Sequence, residues 1–575
     1  MKVFRIMSIG AAVLVGLFSF KVTTQPVADM IFLNGNIHTV NAQNEVVSAI
    51  AISEGKIIKV GTDQEILKFK GSNTQCIDLE EKMVIPGIID AHIHPDAEAD
   101  NRLSLNFPQT STWKEAEQAI RAQINAHPHQ QWFIGGTLGW IEDEEKDILG
   151  MGIPSHKKSL DAISTEVALG IYDIGYHAML VNSKALELAG VTANTPDPKG
   201  GTINKDQNGE PTGVLRELAI NYLVEKAVID RSEAWRNKGL RPFMEEMTAL
   251  GVTGMADAYT KKFSADAYLQ LEEEGNLNQY IFGFITSPID CSGKEAKAEQ
   301  SRLIANRSRY KTELIQMDGV KYIMDGSAGG QTACMKAPFE GTHHCGDYRN
   351  DPVEVAQDIF EKDQAGIMVK AHAIGDRSIN DMLEAVNACR EVNPHGPRHS
   401  IAHCVFTDPQ DIHKFADYDV IFEASPALWF PNDGAELIKK DLGEERIKWA
   451  WAVRQVVDQG GVVCYGSDWP VAPSPNPWYA METMITRAKP GAPYGSKTWN
   501  PEAAIDLATA LRIFTFNGAF SMNIEKVTGS LEAGKSADFL VLNQNLETIP
   551  ANEIHETLPL MTVFQGKVVF QNEQL

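Results

Sequence analysis

The sequence predicts an α/β fold, a (β/α)8 barrel joined to a small β-domain built from both ends of the chain, and three observations predict it. Short apolar runs recur between helical stretches through the middle of the 575 residues. Several of those runs end in a histidine or an aspartate. Strand-like segments with Asn-Gly and Glu-Gly turns lie near both termini. Strands alternating with helices indicate a parallel sheet, and reactive groups at strand ends indicate the C-terminal mouth of a barrel.

The elements follow in chain order. Lys2 and Arg5 precede an apolar run over 6–20, and Gln25-Pro26-Val27-Ala28 offers a small-residue cleavage context, so 1–28 reads as a secretory signal peptide. The protein is therefore expected to be exported, to a bacterial periplasm or the medium. The run falls short of the roughly 18 residues that span a bilayer, so no stable membrane anchor is expected. Residues 30–40 and 46–60 read as short strands, answered by 539–542 and 561–570, which assigns 29–85 plus 526–575 to the small β-domain. Between them, 86–525 reads as the barrel, with strands at 252–257, 280–285, 319–324, 366–373, 399–404, 420–424 and 462–466. The stretch from about 96 to 251 is too long for one strand-to-helix connection and reads as an insertion covering the site. Asn500 as N-cap with Pro501 at the first helical position predicts a closing helix over 502–514.

Composition excludes several partners. Lys and Arg total 52 against 76 Asp and Glu, a net charge of -24 that repels phosphate backbones and disfavours nucleic acid or anionic membrane. The seven cysteines are scattered, with neither disulfide-framework nor zinc-ribbon spacing. Cys334 and Cys345 could close a short loop, while most of the others read as buried thiols.

The chemistry concentrates at strand ends. The run Met83-Val84-Ile85-Pro86-Gly87-Ile88-Ile89-Asp90-Ala91-His92-Ile93-His94 ends in two histidines whose spacing puts both rings on one side of a strand. His127 and His129 share that spacing but sit in a polar stretch and read as a solvated loop. His372 ends a later apolar strand, His403 the next, and Asp468 closes the series. Imidazoles and a carboxylate suit a borderline-soft divalent ion with an open water position, one metal or two.

In that order the sequence resembles the amidohydrolase superfamily, in particular its third subgroup of YtcJ-like metal-dependent hydrolases. The likeness covers nearly everything after the leader, including Gly175-Tyr176-His177-Ala178, Val320-Lys321-Tyr322-Ile323-Met324-Asp325-Gly326, His372-Ala373-Ile374-Gly375-Asp376, Gly466-Ser467-Asp468-Trp469-Pro470 and Gly529-Ser530-Leu531-Glu532. The resemblance implies a (β/α)8 barrel with a composite β-sandwich, hydrolysing a non-peptide C–N bond of a small molecule, usually with zinc. It matches His92, His94, His372, His403 and Asp468 to metal ligands and Lys321 to a lysine that bridges two metals after N6-carboxylation. An inward lysine beside a cationic centre also favours neutralisation on physical grounds, with pairing to Asp325 or another carboxylate as the alternative. Asp468 is expected to act as general base and then acid toward metal-activated hydroxide, and His177 to donate to the developing oxyanion.

Asp376 and His399 read as groups that orient ligands, and Trp132, Trp140 and Trp469 as candidates to line the pocket, with a plain core role, the commoner one for aromatics, as the alternative. Two positions depart from the family pattern, Ala402 where an acidic residue is common and Ser400 where a basic one is. A mononuclear deaminase and a non-catalytic binding protein remain the competing readings. The substrate and the assembly, a homodimer among the options, stay open.

Overall fold

The computed structural model describes residues 26–103, 105, 107, 111–138, 156–173, 176–198, 200–224, 233–291, 293–327, 331–431 and 433–572. The expected leader, apart from its last three residues, and Trp140 lie outside them. Ala28, which the leader reading placed at the cleavage point, is buried at the start of the strand Ala28–Leu33.

Eight parallel strands form the barrel: β1 (Ile88–Ile93), β2 (Val252–Thr260), β3 (Tyr280–Thr286), β4 (Ile315–Ile323), β5 (Met368–Ala373), β6 (His399–His403), β7 (Val420–Ala424) and β8 (Val463–Tyr465). Each is paired with its chain neighbour. The ring closes between β8 and β1 through side chain and loop: Ser467 N donates to Asp90 Oδ1 (2.9 Å) and Asp468 N to His92 O (2.8 Å). All eight strands are largely buried, which is why they read as near-continuous apolar runs rather than as alternating ones.

The two ends of the barrel differ in chemistry. At the N-terminal end Ile89, Phe282, Phe284 and Met368 pack with Ala519, Met522 and Ile524 around the helix Phe516–Ser521, an apolar plug. Polar groups are therefore confined to the opposite mouth, where the strands end. The closing helix starts later than expected, at Leu507, with Asp506 as its N-cap accepting from Thr509 N at 2.7 Å. Asn500 instead precedes a separate 3₁₀ turn, Pro501–Ala503, with a left-handed backbone (φ 44°); its carbonyl accepts from Ala503 N at 2.9 Å, while its side-chain amide donates to Ile447 O and Ala450 O rather than capping the turn.

The ends of the chain meet in two further sheets. A four-stranded sheet holds Ala28–Leu33, and a six-stranded one pairs Met83–Pro86 with Phe539–Leu542. Phe32, Ile50 and Ile52 of the first face Val84, Phe539, Val541 and Val563 of the second, with Phe32 and Phe539 edge to face at 5.0 Å. Between β1 and β2 lies a five-stranded sheet in the spatial order Gly201–Lys205, Pro211–Glu217, Ala178–Val181, Ala168–Asp173, Trp132–Leu138. It is buried on both faces, by Met179, Val181 and Leu215 on one and Leu169, Leu180 and Val214 on the other. Trp132 belongs to the first of those cores, so it walls no pocket. His127 and His129 are exposed. All seven cysteines are free thiols, Cys334 and Cys345 included. No helix among the described residues is long and apolar enough to cross a membrane.

Candidate metal centre

The site grows from strand alternation and from two breaks in it. His92 faces into the barrel from β1, and its ring nitrogens have separate tasks. Nδ1–H donates to Glu423 Oε2 on β7 (3.0 Å), so Nε2 carries the lone pair, 3.2 Å from Lys321 Nζ and 3.5 Å from Asp468 Oδ1. His94 follows just past the strand, its Nε2 3.3 Å from the same Asp468 oxygen and its backbone N–H bonded to Trp469 O at 2.9 Å. On β5, Lys370 and His372 face inward on one side, and β6 presents Ser400 and Ala402 in register with them. Alternation alone would send His403 outward with His399. His403 instead takes a left-handed backbone, φ 73°, and its ring turns in, bringing Nδ1 to 3.7 Å from Asp468 Oδ2. Asp468 makes the same turn after β8, φ 57°.

His92, His403 and Asp468 are buried and bring one ligand atom each within 4.8 Å of one another. His372 stands beside them, its ring 4.6 Å from His403, but its Nε2 is turned to Gly326 O at 3.1 Å. His177 reaches in from the inserted sheet, its ring 5.3 Å from His372. Lys321 is buried among these groups, and Asp325 is not its partner. Asp325 instead accepts from Cys334 N (2.8 Å), Ile374 N (3.0 Å) and Gly375 N (2.9 Å).

Burial sets the protonation states. It pushes His92, His372 and His403 well below the ordinary imidazole value, reinforced by Lys321 at all three. Neutral rings with free lone pairs are what a metal ligand requires. Burial, and then the Lys370 cation, brings Lys321 down to about 7, which favours the uncharged amine relative to an ordinary lysine. His177 goes the other way: burial opposes its charge, but the Glu217 carboxylate outweighs burial and raises it. The donor set therefore fits a divalent ion such as zinc, with nitrogen and oxygen ligands converging and few protons to displace.

Several contributors were not legible in the sequence. Glu423 anchors His92, and Lys370 braces Glu423 at 2.7 Å, also donates to Ala91 O and lies 4.3 Å over the Phe284 ring. Glu217 anchors His177, and Arg349 braces Glu217. The available signal was a charged residue inside an otherwise apolar strand, as in Val420-Ile421-Phe422-Glu423 and Met368-Val369-Lys370. Two expected orienting groups lie elsewhere. His399 faces outward, bonded to Val369 N (3.0 Å) and Asp363 Oδ2 (3.1 Å), and Asp376 accepts from Lys336 N (2.7 Å).

Known proteins give the arrangement its family. Relatives similar over most of their length include the protein LONG AFTER FAR-RED 3 of Arabidopsis thaliana, 29% identical over 90% of this chain and 88% of its own. An N-substituted formamide deformylase of Arthrobacter pascens is 28% identical over 94% of this chain and 98% of its own. Among solved structures, an uncharacterized metal-dependent hydrolase of Pyrococcus horikoshii OT3 shares the fold at TM-score 0.70, with 22% identity over 91% of this chain and 99% of that one. The family model described as "Amidohydrolase family" matches residues 75–570, and the chain belongs to that family.

Proposed function

We propose that this protein hydrolyses a non-peptide C–N bond, an amide or a related linkage, in a small molecule at a centre of one or two zinc ions held by His92, His94, Lys321, His372, His403 and Asp468. The observation that carries the reading is the convergence of a ring nitrogen each of His92 and His403 and a carboxylate oxygen of Asp468, all within 4.8 Å of one another, beside the buried Lys321 amine. A divalent ion bound there supplies Lewis acidity, which lowers the pKa of a coordinated water to about 7.

The chain's own groups do the rest. Asp468 takes the proton of the attacking water as its oxygen bonds to the carbonyl carbon, then gives that proton to the departing nitrogen as the C–N bond breaks. The products are a carboxylic acid and an amine. His177, with Nδ1 engaged by Glu217, turns Nε2 toward the oxygen on which negative charge develops. Lys321, carboxylated on Nζ, would bridge two ions as an anion, which relieves the cost of a buried cation beside them.

The test combines metal content with activity on N-substituted formamides, a class suggested by one relative, within a wider amide panel. Protein reconstituted with zinc and bicarbonate is expected to hold two equivalents and a 13C-labelled carbamate on Lys321, with Lys321→Ala holding one or fewer. One equivalent with an unmodified lysine removes the two-metal form and favours the mononuclear deaminase. No turnover anywhere on the panel by the zinc-loaded protein overturns the hydrolase reading.

A further inference from the structure

Resting on that reading, we propose that Glu217 and Arg349 are positioning residues for His177, and that together they lock the inserted sheet onto the barrel so that the imidazole stands over the metal ligands.

His177 and Glu217 both belong to the inserted sheet: His177 lies just before the strand Ala178–Val181, and Glu217 ends the neighbouring strand Pro211–Glu217. The ring they hold lies against His372, which belongs to β5 of the barrel. The reacting groups therefore come from two separately packed bodies, and something must fix their distance. Glu217 does so with both oxygens. Oε1 accepts from His177 Nδ1 at 2.8 Å, and Oε2 accepts from Arg349 Nη1 at 2.9 Å. Arg349 is a barrel residue in this respect, its backbone N–H donating to Met324 O just past β4 at 2.8 Å. The carboxylate thus ties an imidazole of the insertion to a guanidinium of the barrel, in charge-assisted bonds at a site where all three side chains are at most 16% exposed.

Two independent features mark the seam as built for this contact. Glu217 adopts φ 50°, ψ −128°, a conformation that is costly for a non-glycine residue and persists where its surroundings enforce it. Glycines clear the approach from both sides. A Cβ on Gly200, in the insertion, would stand 2.5 Å from Arg349 O, and one on Gly326, past β4, would meet Thr332 Oγ1 first and then Glu217 Oε1 at 2.9 Å. Gly326 is also the residue whose carbonyl meets His372 Nε2.

The test is a double-mutant cycle on the zinc-loaded full chain, read by calorimetric binding of methylphosphonate, a tetrahedral anion that mimics the charge developed in hydrolysis. His177→Ala and Glu217→Gln are each expected to weaken methylphosphonate by roughly 10- to 100-fold at unchanged zinc content, and the double variant to bind no more weakly than His177→Ala. Arg349→Lys, which keeps a cation but loses the fork, is expected to fall between wild type and Glu217→Gln, and it serves where Glu217→Gln does not fold. Equal losses from Glu217→Gln with and without His177, or no loss at all, overturn the positioning role. A zinc-loaded wild type that turns over no amide overturns the functional reading, and the positioning role with it, whereas turnover without any binding of methylphosphonate overturns only the anion-facing role of His177 and hence of its two positioning residues.

Discussion

Two buried clusters in this barrel use nearly the same residue types and do opposite things. His92, His403 and Asp468 meet inside the mouth, while Asp363, Cys389 and His399 meet outside the barrel wall, and both bring their potential ligand atoms within 4.8 Å. Asp363 is saturated: it accepts from His399 Nε2 (3.1 Å), Arg390 Nη1 (3.1 Å), Asn393 Nδ2 (2.8 Å) and Gln364 Nε2 (3.1 Å). His399 has its other nitrogen occupied by Val369 N–H, and Cys389 Sγ–H donates to Ala385 O. No carboxylate or imidazole lone pair is left for an ion there, burial pushes the Cys389 thiol up to about 11 so that it keeps its proton, and the Arg390 cation opposes an ion. Inside the mouth, by contrast, His92 Nε2 meets the buried Lys321 amine at 3.2 Å and Asp468 Oδ1 at 3.5 Å, and among the described residues no arginine holds that carboxylate. Residue type and proximity do not make a metal site. Ligand atoms that an ion can take over from weak partners do.

The comparison breaks most visibly in two substitutions. Asp468→Asn removes the proton carrier at the mouth and is expected to lower turnover by about 10²- to 10⁴-fold, with zinc largely retained by the histidines. Turnover within tenfold of wild type would remove Asp468 from the chemistry. Asp363→Asn acts on the other cluster, leaving the Arg390 cation without its buried counter-charge. It is expected to cost about 3 kcal/mol, read as a shift of the denaturant midpoint, with zinc content and turnover as in wild type. Loss of zinc in that variant would erase the distinction between the clusters.

The same contrast explains what could be read in advance. Strands buried on both faces announce themselves as apolar runs, and the helices between them leave one arrangement, so the barrel was legible, as was the residue at each strand end. Side-chain direction was not. His399 and His403 lie in one strand with the spacing that puts residues on one face, yet one points out and the other in, because His403 leaves the strand at positive φ. Nor could a one-dimensional pattern pair Glu423 with His92, or Glu217 with Arg349, across separations of 331 and 132 residues. Trp132 stayed between two roles because a tryptophan in an apolar strand looks the same whether it walls a pocket or fills the core of an inserted sheet, and the structure gives it the second. Asn500 had the look of a helix cap, but its amide is taken by two carbonyls of another loop.

The smallest effect follows from protonation. Burial holds His399 below its ordinary value near 6.5, although Asp363 pulls the other way, so the folded ring stays neutral in a pH range where the unfolded ring binds a proton. The unfolded state then holds more protons, and stability must rise with pH across that window: the contribution of His399 is present above about pH 6.5 and is lost as pH falls below it, at no more than about 1.4 kcal/mol per pH unit. His399→Gln keeps an acceptor for Val369 N–H and a donor for Asp363 but cannot titrate. The gap in melting temperature between zinc-loaded wild type and this variant is therefore expected to narrow, or reverse, from pH 7.5 to 5.5. Because the rings at the mouth are the same in both proteins, their own titration cancels in the difference. Parallel curves over that range would mean that the outer histidine is protonated alike in the folded and unfolded chain, and would leave its neutral, saturated state without support.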